Sequence, residues 1–123
     1  MTNLDPSRVV TDFEMAKLAQ AIELFRKIDK EIPAQVIACF LYVASHNDCN
    51  KIDMEKALKF SSASGSRNTD WLSEFHRLTK PGLGLIVKYR DRTNRRRQVL
   101  QLTSKGKDLV TDLRKTLYGS QTI

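Results

Sequence analysis

The stretch that decides the fold is residues 85–102, which read LIVKYRDRTNRRRQVLQL. Its two ends, residues 85–89 and 99–102, are rich in apolar residues that favour strands, and a polar segment separates them. Two short strands joined by a polar turn form a β-hairpin. The sequence therefore predicts a hairpin with arginines at its tip.

Basic side chains are concentrated in this hairpin. Residues 88–97 hold six lysines and arginines and one acid, Asp91. The whole chain of 123 residues has 21 basic and 14 acidic residues and a formal net charge of +7, so the remainder is nearly balanced. Net charge alone permits nucleic acid, an acidic membrane surface or an acidic protein as partner. A solvated turn that only keeps the protein soluble is the alternative interpretation.

The segment before the hairpin predicts a helix-turn-helix over residues 53–79. A short helix is expected from Met54 to about Phe60, with Asp53 as its cap, and Ser61 can cap a second helix. The apolar positions that continue the second helix are Leu72, Phe75 and Leu78. In a helix-turn-helix the second helix enters the major groove of DNA, where each base pair presents a distinct pattern of donors and acceptors.

Helical spacing predicts three further helices besides those of the helix-turn-helix. Residues 1–10 show little periodicity and predict a flexible arm, which a first helix follows over 11–29. Pro33 suits the first turn of a second helix that runs to about His46. Thr103 can cap a last helix over 104–118. The expected fold class is mainly α with a small β-hairpin wing: a winged helix-turn-helix in a single domain, 1–123.

The first helix carries two adjacent apolar stripes. They consist of Met15, Leu18, Ile22 and Phe25, and of Ala21, Leu24 and Ile28. In one interpretation the helix is covered on two sides, and a second copy of the chain covers one of them. In the other interpretation the two stripes form a single broad stripe that faces the core. The last helix presents Leu109, Val110, Leu113 and Leu117 on one face. We therefore predict a homodimer formed by residues 11–29 and 104–118.

Several classes of function find no support in the sequence. The longest apolar run, residues 36–44, is too short to span a bilayer, and the first residues lack the order of a secretory signal. We expect a cytoplasmic protein with no membrane partner. No catalytic triad or glycine-rich phosphate loop is present, so an enzyme is not expected.

The sequence likewise gives little support for a metal site or a redox-active cysteine. His46, Cys49 and His76 are too few for a structural zinc site, which needs four ligands, so we expect no metal and no cofactor. Cys39 lies in an apolar run and predicts a core residue. Cys49 lies among polar residues, where a redox sensor is the alternative to an inert thiol.

Three segments resemble the MarR family of winged-helix regulators. They are SSASGSRN at residues 61–68, PGLGLI at 81–86 and NRRRQVLQLTSKG at 94–106. The third parallels the family pattern D-x-R-x-x-x-x-x-L-T-x-K-G, with Asn94 in place of the acid. Gly65 stands where family members often have an apolar residue. The resemblance covers about residues 34–118, and it implies a dimer that binds roughly palindromic operator DNA.

The candidate DNA-binding residues lie on the second helix of the helix-turn-helix and on the wing. They are Ser62, Ser64, Ser66, Arg67, Arg92, Arg95, Arg96 and Arg97. Arg67 is the candidate for reading a guanine edge, because its planar fork can donate two hydrogen bonds to O6 and N7. The serines have a second interpretation, as a capped helix start only. Trp71 is expected to pack in the core rather than to stack on bases.

The leading hypothesis is a sequence-specific transcription regulator, expected to be a repressor, that binds double-stranded DNA as a homodimer. In this hypothesis the recognition helix lies in the major groove and the arginine-rich wing contacts the minor groove or the backbone. One alternative is a DNA-binding accessory factor in replication, recombination or phage and plasmid maintenance. Another is a protein-interaction module without DNA binding, against which the arginine-rich tip argues. A small-molecule effector is compatible with the resemblance, but no residue indicates one.

Overall fold

A computed structural model describes residues 9–74 and 81–119. Within these ranges the chain forms five helices and a small antiparallel sheet, which confirms the expected winged helix class. In chain order the elements are α1 (Phe13–Ile28), α2 (Ala34–Ser45), β1 (Cys49–Asn50), α3 (Lys51–Leu58), α4 (Ser62–Leu72), β2 (Ile86–Arg90), β3 (Gln98–Leu102) and α5 (Ser104–Tyr118).

The chain divides into two compact units. The first comprises the chain up to Ile32 together with the chain from Leu109 onward, and the second comprises Pro33–Asp108. In the first unit Asp12 caps α1 by accepting a hydrogen bond from the backbone of Met15. The buried apolar residues of that unit are Ala21, Phe25, Leu109 and Leu113. Met15, Leu18 and Ile22 are exposed, so the first predicted stripe of α1 does not face a core as a whole.

Helix α2 is the centre of the second unit. Its mean hydropathy is high, and its buried residues Val36, Cys39, Phe40 and Val43 follow helical spacing. It contacts α3, α4 and β3, so three elements cover it. Pro33 occupies the N-cap with extended backbone, one position before the predicted first turn, where its missing N–H also leaves no donor without a partner.

The sheet has the strand order β1–β3–β2. The predicted hairpin is formed by β2 and β3, with Ile86 opposite Leu102 and Arg90 opposite Gln98. Strand β1 was not predicted; it pairs Cys49 with Leu100. Two residues between turn formers carry no strand pattern of their own, so the pairing depends on β3, which lies much later in the chain.

The start of α5 packs on the hairpin. Thr103 Oγ1 accepts a hydrogen bond from Gly106 N (3.0 Å), as predicted for the cap of this helix. A Cβ atom at Gly106 would lie 2.2 Å from the carbonyl oxygen of Leu85, so only glycine permits this approach.

The helices of the helix-turn-helix differ from the predicted ones at two ends. Helix α3 begins at Lys51 because Asn50, rather than Asp53, caps it: its Oδ1 accepts from Ile52 N (2.9 Å). Helix α4 ends at Leu72, since Ser73 takes an extended backbone conformation. The predicted continuation through Phe75 and Leu78, and the end of the 53–79 segment, lie outside the described residues.

Both cysteines are buried thiols. Burial raises the pKa of Cys39 to about 12 and that of Cys49 to about 11. A thiol with such a pKa holds little thiolate at neutral pH, and the thiolate is the reactive form. At neutral pH Cys49 is therefore held mainly as the less reactive thiol. In the part of the chain that the structure describes, no helix has the length and apolar character to cross a membrane.

Candidate nucleic-acid interface

The first turn of α4 carries the serines of the predicted site. Ser61 begins the helix, and its Oγ accepts a hydrogen bond from Ser64 N (3.1 Å), as its sequence position predicts. One side of α4 is buried at Gly65, Asn68, Thr69 and Leu72, which follow helical spacing. The opposite side is left to solvent, with Ser62 and Arg67 exposed.

Arg67 is held by a neighbour on its own helix. Its Nη2 donates a hydrogen bond to Ser64 Oγ (3.0 Å), three residues earlier. The guanidinium therefore lies along the first turn of α4 while most of its five donors stay available. Ser64 positions Arg67 here, a role that the sequence pattern alone did not indicate.

A groove of about 270 Å³ lies where α3, the start of α4 and the hairpin meet. Its lining consists of Lys51, Ile52, Glu55, Ser62, Ser66, Arg90, Arg96 and Gln98. The groove brings three predicted site residues together: Ser62 and Ser66 from α4 and Arg96 from the hairpin. The other predicted residues, Ser64, Arg67, Arg92, Arg95 and Arg97, are not in its lining.

Two side chains shape the tip of the wing. Asp91 Oδ1 accepts hydrogen bonds from Thr93 N (2.9 Å) and Thr93 Oγ1 (2.8 Å), and the backbone bond is the main reason that the pKa of Asp91 lies below its usual value. Asn94 Oδ1 accepts a hydrogen bond from Arg96 N (3.1 Å). Short polar side chains that bond the backbone two residues later are typical of tight turns. Asn94 thus fixes the backbone of Arg96 rather than its guanidinium.

A carboxylate does face a wing arginine, but it belongs to Asp91 and not to residue 94, where the family pattern has its acid. Asp91 Oδ2 lies 4.0 Å from Nε of Arg97. A second arginine stabilises the tip internally, because Arg90 Nη1 donates to the carbonyl oxygen of Arg95 (2.8 Å). Arg92, Arg95, Arg96 and Arg97 are all exposed. The wing therefore carries four exposed arginines on a hydrogen-bonded turn.

Lys88, one of the six basic residues in the hairpin, does not belong to this exposed set. Its Nζ lies 2.5 Å from Asp70 Oδ1 and 3.1 Å from Thr69 Oγ1, and only 17% of its side chain is exposed. The contact joins β2 to α4. It therefore fixes the wing strand against the helix that carries Arg67.

Among the groove residues that sequence reasoning missed are Lys51 and Glu55, which form an ion pair. They lie four residues apart on α3, with Lys51 Nζ 2.5 Å from Glu55 Oε2, and about nine-tenths of each side chain is buried. The only signal in the sequence is their spacing, which usually marks a pair on a solvated helix face.

Gly65 explains how α3 and α4 pack around that pair. A Cβ atom at position 65 would lie 2.0 Å from Glu55 Oε2. The backbone of α4 therefore approaches the Glu55 carboxylate directly, which an apolar side chain at this position would prevent. This close approach is a structural reason for a glycine at position 65, where family members often have an apolar residue.

His46, Cys49 and His76 are too few for a structural zinc site. Among residues 9–74 and 81–119 no group of three or more His, Cys, Asp and Glu side chains is arranged to hold a metal ion. His76 lies outside those ranges. Trp71 is half-buried on α4.

These elements define a winged helix protein: the second helix of a helix-turn-helix lies beside a hairpin with an arginine-rich tip. No protein-family model and no curated protein matches the chain. Solved structures do match. A MepR–DNA complex from S. aureus has a TM-score of 0.65 and 23% identity, covering 85% of this chain and 75% of that one.

Two further solved structures are similar to the chain. MarR has a TM-score of 0.58 and 18% identity, with coverage of 83% of this chain and 73% of its own. The PcaV transcriptional regulator from Streptomyces coelicolor has a TM-score of 0.58 and 16% identity, with coverage of 85% and 71% respectively. The chain has the winged helix fold of the MarR-like regulators.

Proposed function

We propose that the protein is a sequence-specific regulator of transcription that binds duplex DNA as a homodimer and represses genes by occupying their promoters. The observation that carries the proposal is the groove in which Ser62 and Ser66 of α4 meet Arg96 of the wing. Hydroxyl groups at a helix start and guanidinium groups are the usual partners of DNA phosphates.

In this proposal the two parts of the interface have different tasks. The exposed side of α4, with Arg67, enters the major groove, where a guanidinium can bond O6 and N7 of guanine. The four exposed wing arginines contact the backbone or the minor groove, where the negative potential attracts them. The interface needs no cofactor, and a protein with this role acts in the cytoplasm.

Similar structures support duplex DNA as the partner. One is a MepR–DNA complex, and another is reduced AbfR bound to DNA. A structure of PcaV contains its natural ligand, so a small-molecule effector is a compatible second partner for this protein.

The exposed face of α1 supports the homodimer. Met15, Leu18 and Ile22, which share one side of the helix by their spacing, leave 44–55% of their surface exposed. Exposed apolar patches of this kind mark interaction surfaces in soluble proteins. A second copy of α1 has the same apolar face and would cover it.

The decisive experiment selects bound duplexes from a random pool and then titrates salt. We expect one enriched, roughly palindromic sequence and an affinity that falls about 10³-fold between low and moderate salt, because phosphate contacts release counterions. No enrichment, or binding without a salt slope, contradicts the proposal. A genome-wide map of bound sites tests the regulatory role: promoter sites support it, and sites at a replication origin or recombination locus instead support an accessory factor.

A further inference from the structure

The groove between the helix-turn-helix and the wing contains an acid in a surface that is otherwise basic. Its charged side chains are Lys51, Arg90, Arg96 and Glu55. Arg90 and Arg96 are exposed residues of the hairpin, whereas Lys51 and Glu55 form a buried ion pair. Glu55 pairs with Lys51 and also places a negative charge in the groove lining.

We propose that this groove seats one backbone phosphate of DNA between Arg90 and Arg96, and that the Lys51–Glu55 pair sets the strength of that contact. Lys51 adds to the attraction and Glu55 opposes it, so Glu55 limits sequence-independent binding. The inference rests on the proposed function and names two residues, Lys51 and Arg90, that the sequence did not mark as DNA-binding.

The position of Glu55 makes its charge effective. About 10% of its side chain is exposed, so salt and water screen its charge less than they screen a surface acid. Lys51 and the nearby N-terminal turn of α4 both stabilise negative charge at this point. Sequence-independent affinity for DNA is almost entirely electrostatic, and a single charge near a phosphate therefore changes it measurably.

The test measures the affinity of the full chain for a short labelled DNA duplex of unrelated sequence. The salt concentration is varied from roughly 50 to roughly 200 mM. Glu55→Gln keeps the shape of the side chain and its hydrogen bond to Lys51 while removing the charge. We expect it to bind about threefold more tightly, with a steeper salt slope. Lys51→Gln and Arg90→Gln should each bind about threefold more weakly, with a shallower slope.

Asp53→Asn is the matched control, because it makes the same change of net charge on the same helix but at an exposed position outside the groove lining. We expect it to change the affinity less than Glu55→Gln does. If Asp53→Asn tightens binding as much, a general charge effect replaces the proposal.

A purely structural ion pair would give a different result. Both Glu55→Gln and Lys51→Gln would then weaken binding and lower the melting temperature, which overturns the inference. If Lys51→Gln unfolds, the double variant Lys51→Gln/Glu55→Gln removes both charges and should bind like the wild type; weak binding by a folded double variant also overturns it. If the wild type shows no salt-dependent binding to DNA, the proposed function itself is contradicted. If the wild type binds and Glu55→Gln binds with the same affinity, only this inference is contradicted.

Discussion

Arg67 and Arg96 are held in the structure by different means. Arg67 donates from its guanidinium to Ser64 Oγ, so the charged group itself has a defined direction along α4. Arg96 is fixed through its backbone N–H by Asn94, and its side chain lines the groove. A directed guanidinium suits the reading of a base edge, and an adaptable one suits a phosphate contact.

At the scale of these residues we predict that the two arginines differ in what their loss does. Arg67→Ala should cost about 1–3 kcal/mol on the preferred site and remove discrimination at one base position per half-site. Arg96→Ala should weaken preferred and unrelated DNA to a similar extent and reduce the salt slope by about one. Site selection repeated with each variant measures both effects. An unchanged sequence preference in Arg67→Ala would show that α4 does not read bases.

Helix α4 depends on contacts at both of its ends. Ser61 satisfies a backbone N–H at its start, and the Lys88–Asp70 pair joins its second half to β2. Its buried side closes on α3 at Gly65 and on α2 through Asn68, whose Nδ2 donates to Gln35 Oε1 (3.1 Å). The recognition helix is therefore fixed relative to both the wing and the rest of the second unit.

At the scale of the element we predict a measurable cost for removing the cap. Ser61→Ala should lower the free energy of unfolding by about 0.5–2 kcal/mol, because Ser64 N loses its partner. Urea unfolding followed by circular dichroism measures the change. Ser62→Ala, one position later and exposed, is the control and should stay within about 0.5 kcal/mol. Equal effects of the two substitutions would contradict the capping role.

The first unit contains both a core and an exposed apolar face. Leu109 and Leu113 of α5 are buried, together with Ala21 and Phe25 of α1, so this part of the predicted leucine seam belongs to the core of one chain. Exposed apolar side chains on α1 include Met15, Leu18 and Ile22. A substitution at Leu113 would therefore disturb the fold, and only the exposed residues of α1 can test association cleanly.

At the scale of the whole molecule we predict a dimer that depends on α1. Light scattering at micromolar concentration should give the mass of two chains for the wild type. Leu18→Asp and Ile22→Asp should each give the mass of one chain and keep the helical circular-dichroism spectrum of the wild type, because both side chains are exposed within the chain. Gln20→Asp introduces the same charge on another side of α1 and should remain dimeric. A single-chain mass for the wild type would contradict the prediction.

Local sequence determined the features that arise from neighbouring residues. The hairpin, the caps at Ser61 and Thr103 and the arginine-rich tip were all predicted, since each depends on residues within a few positions of one another. Helix ends were less predictable, because several polar side chains compete to cap one helix. Asn50 caps α3 where Asp53 was expected, and the extended backbone of Ser73 ends α4 at Leu72.

The tertiary structure alone decided which of these features meet. Strand β1 exists because β3 pairs with it, and Lys88 contacts Asp70 across 18 positions of the chain. The groove that unites Ser62, Ser66 and Arg96 is lined by residues of α3, α4 and the hairpin. Its lining includes Glu55, whose carboxylate lies against the backbone of Gly65, ten positions later in the sequence. The physical reason is that propensity and capping act over one or two turns of chain, whereas packing and ion pairing depend on distances in space that the order of residues does not specify.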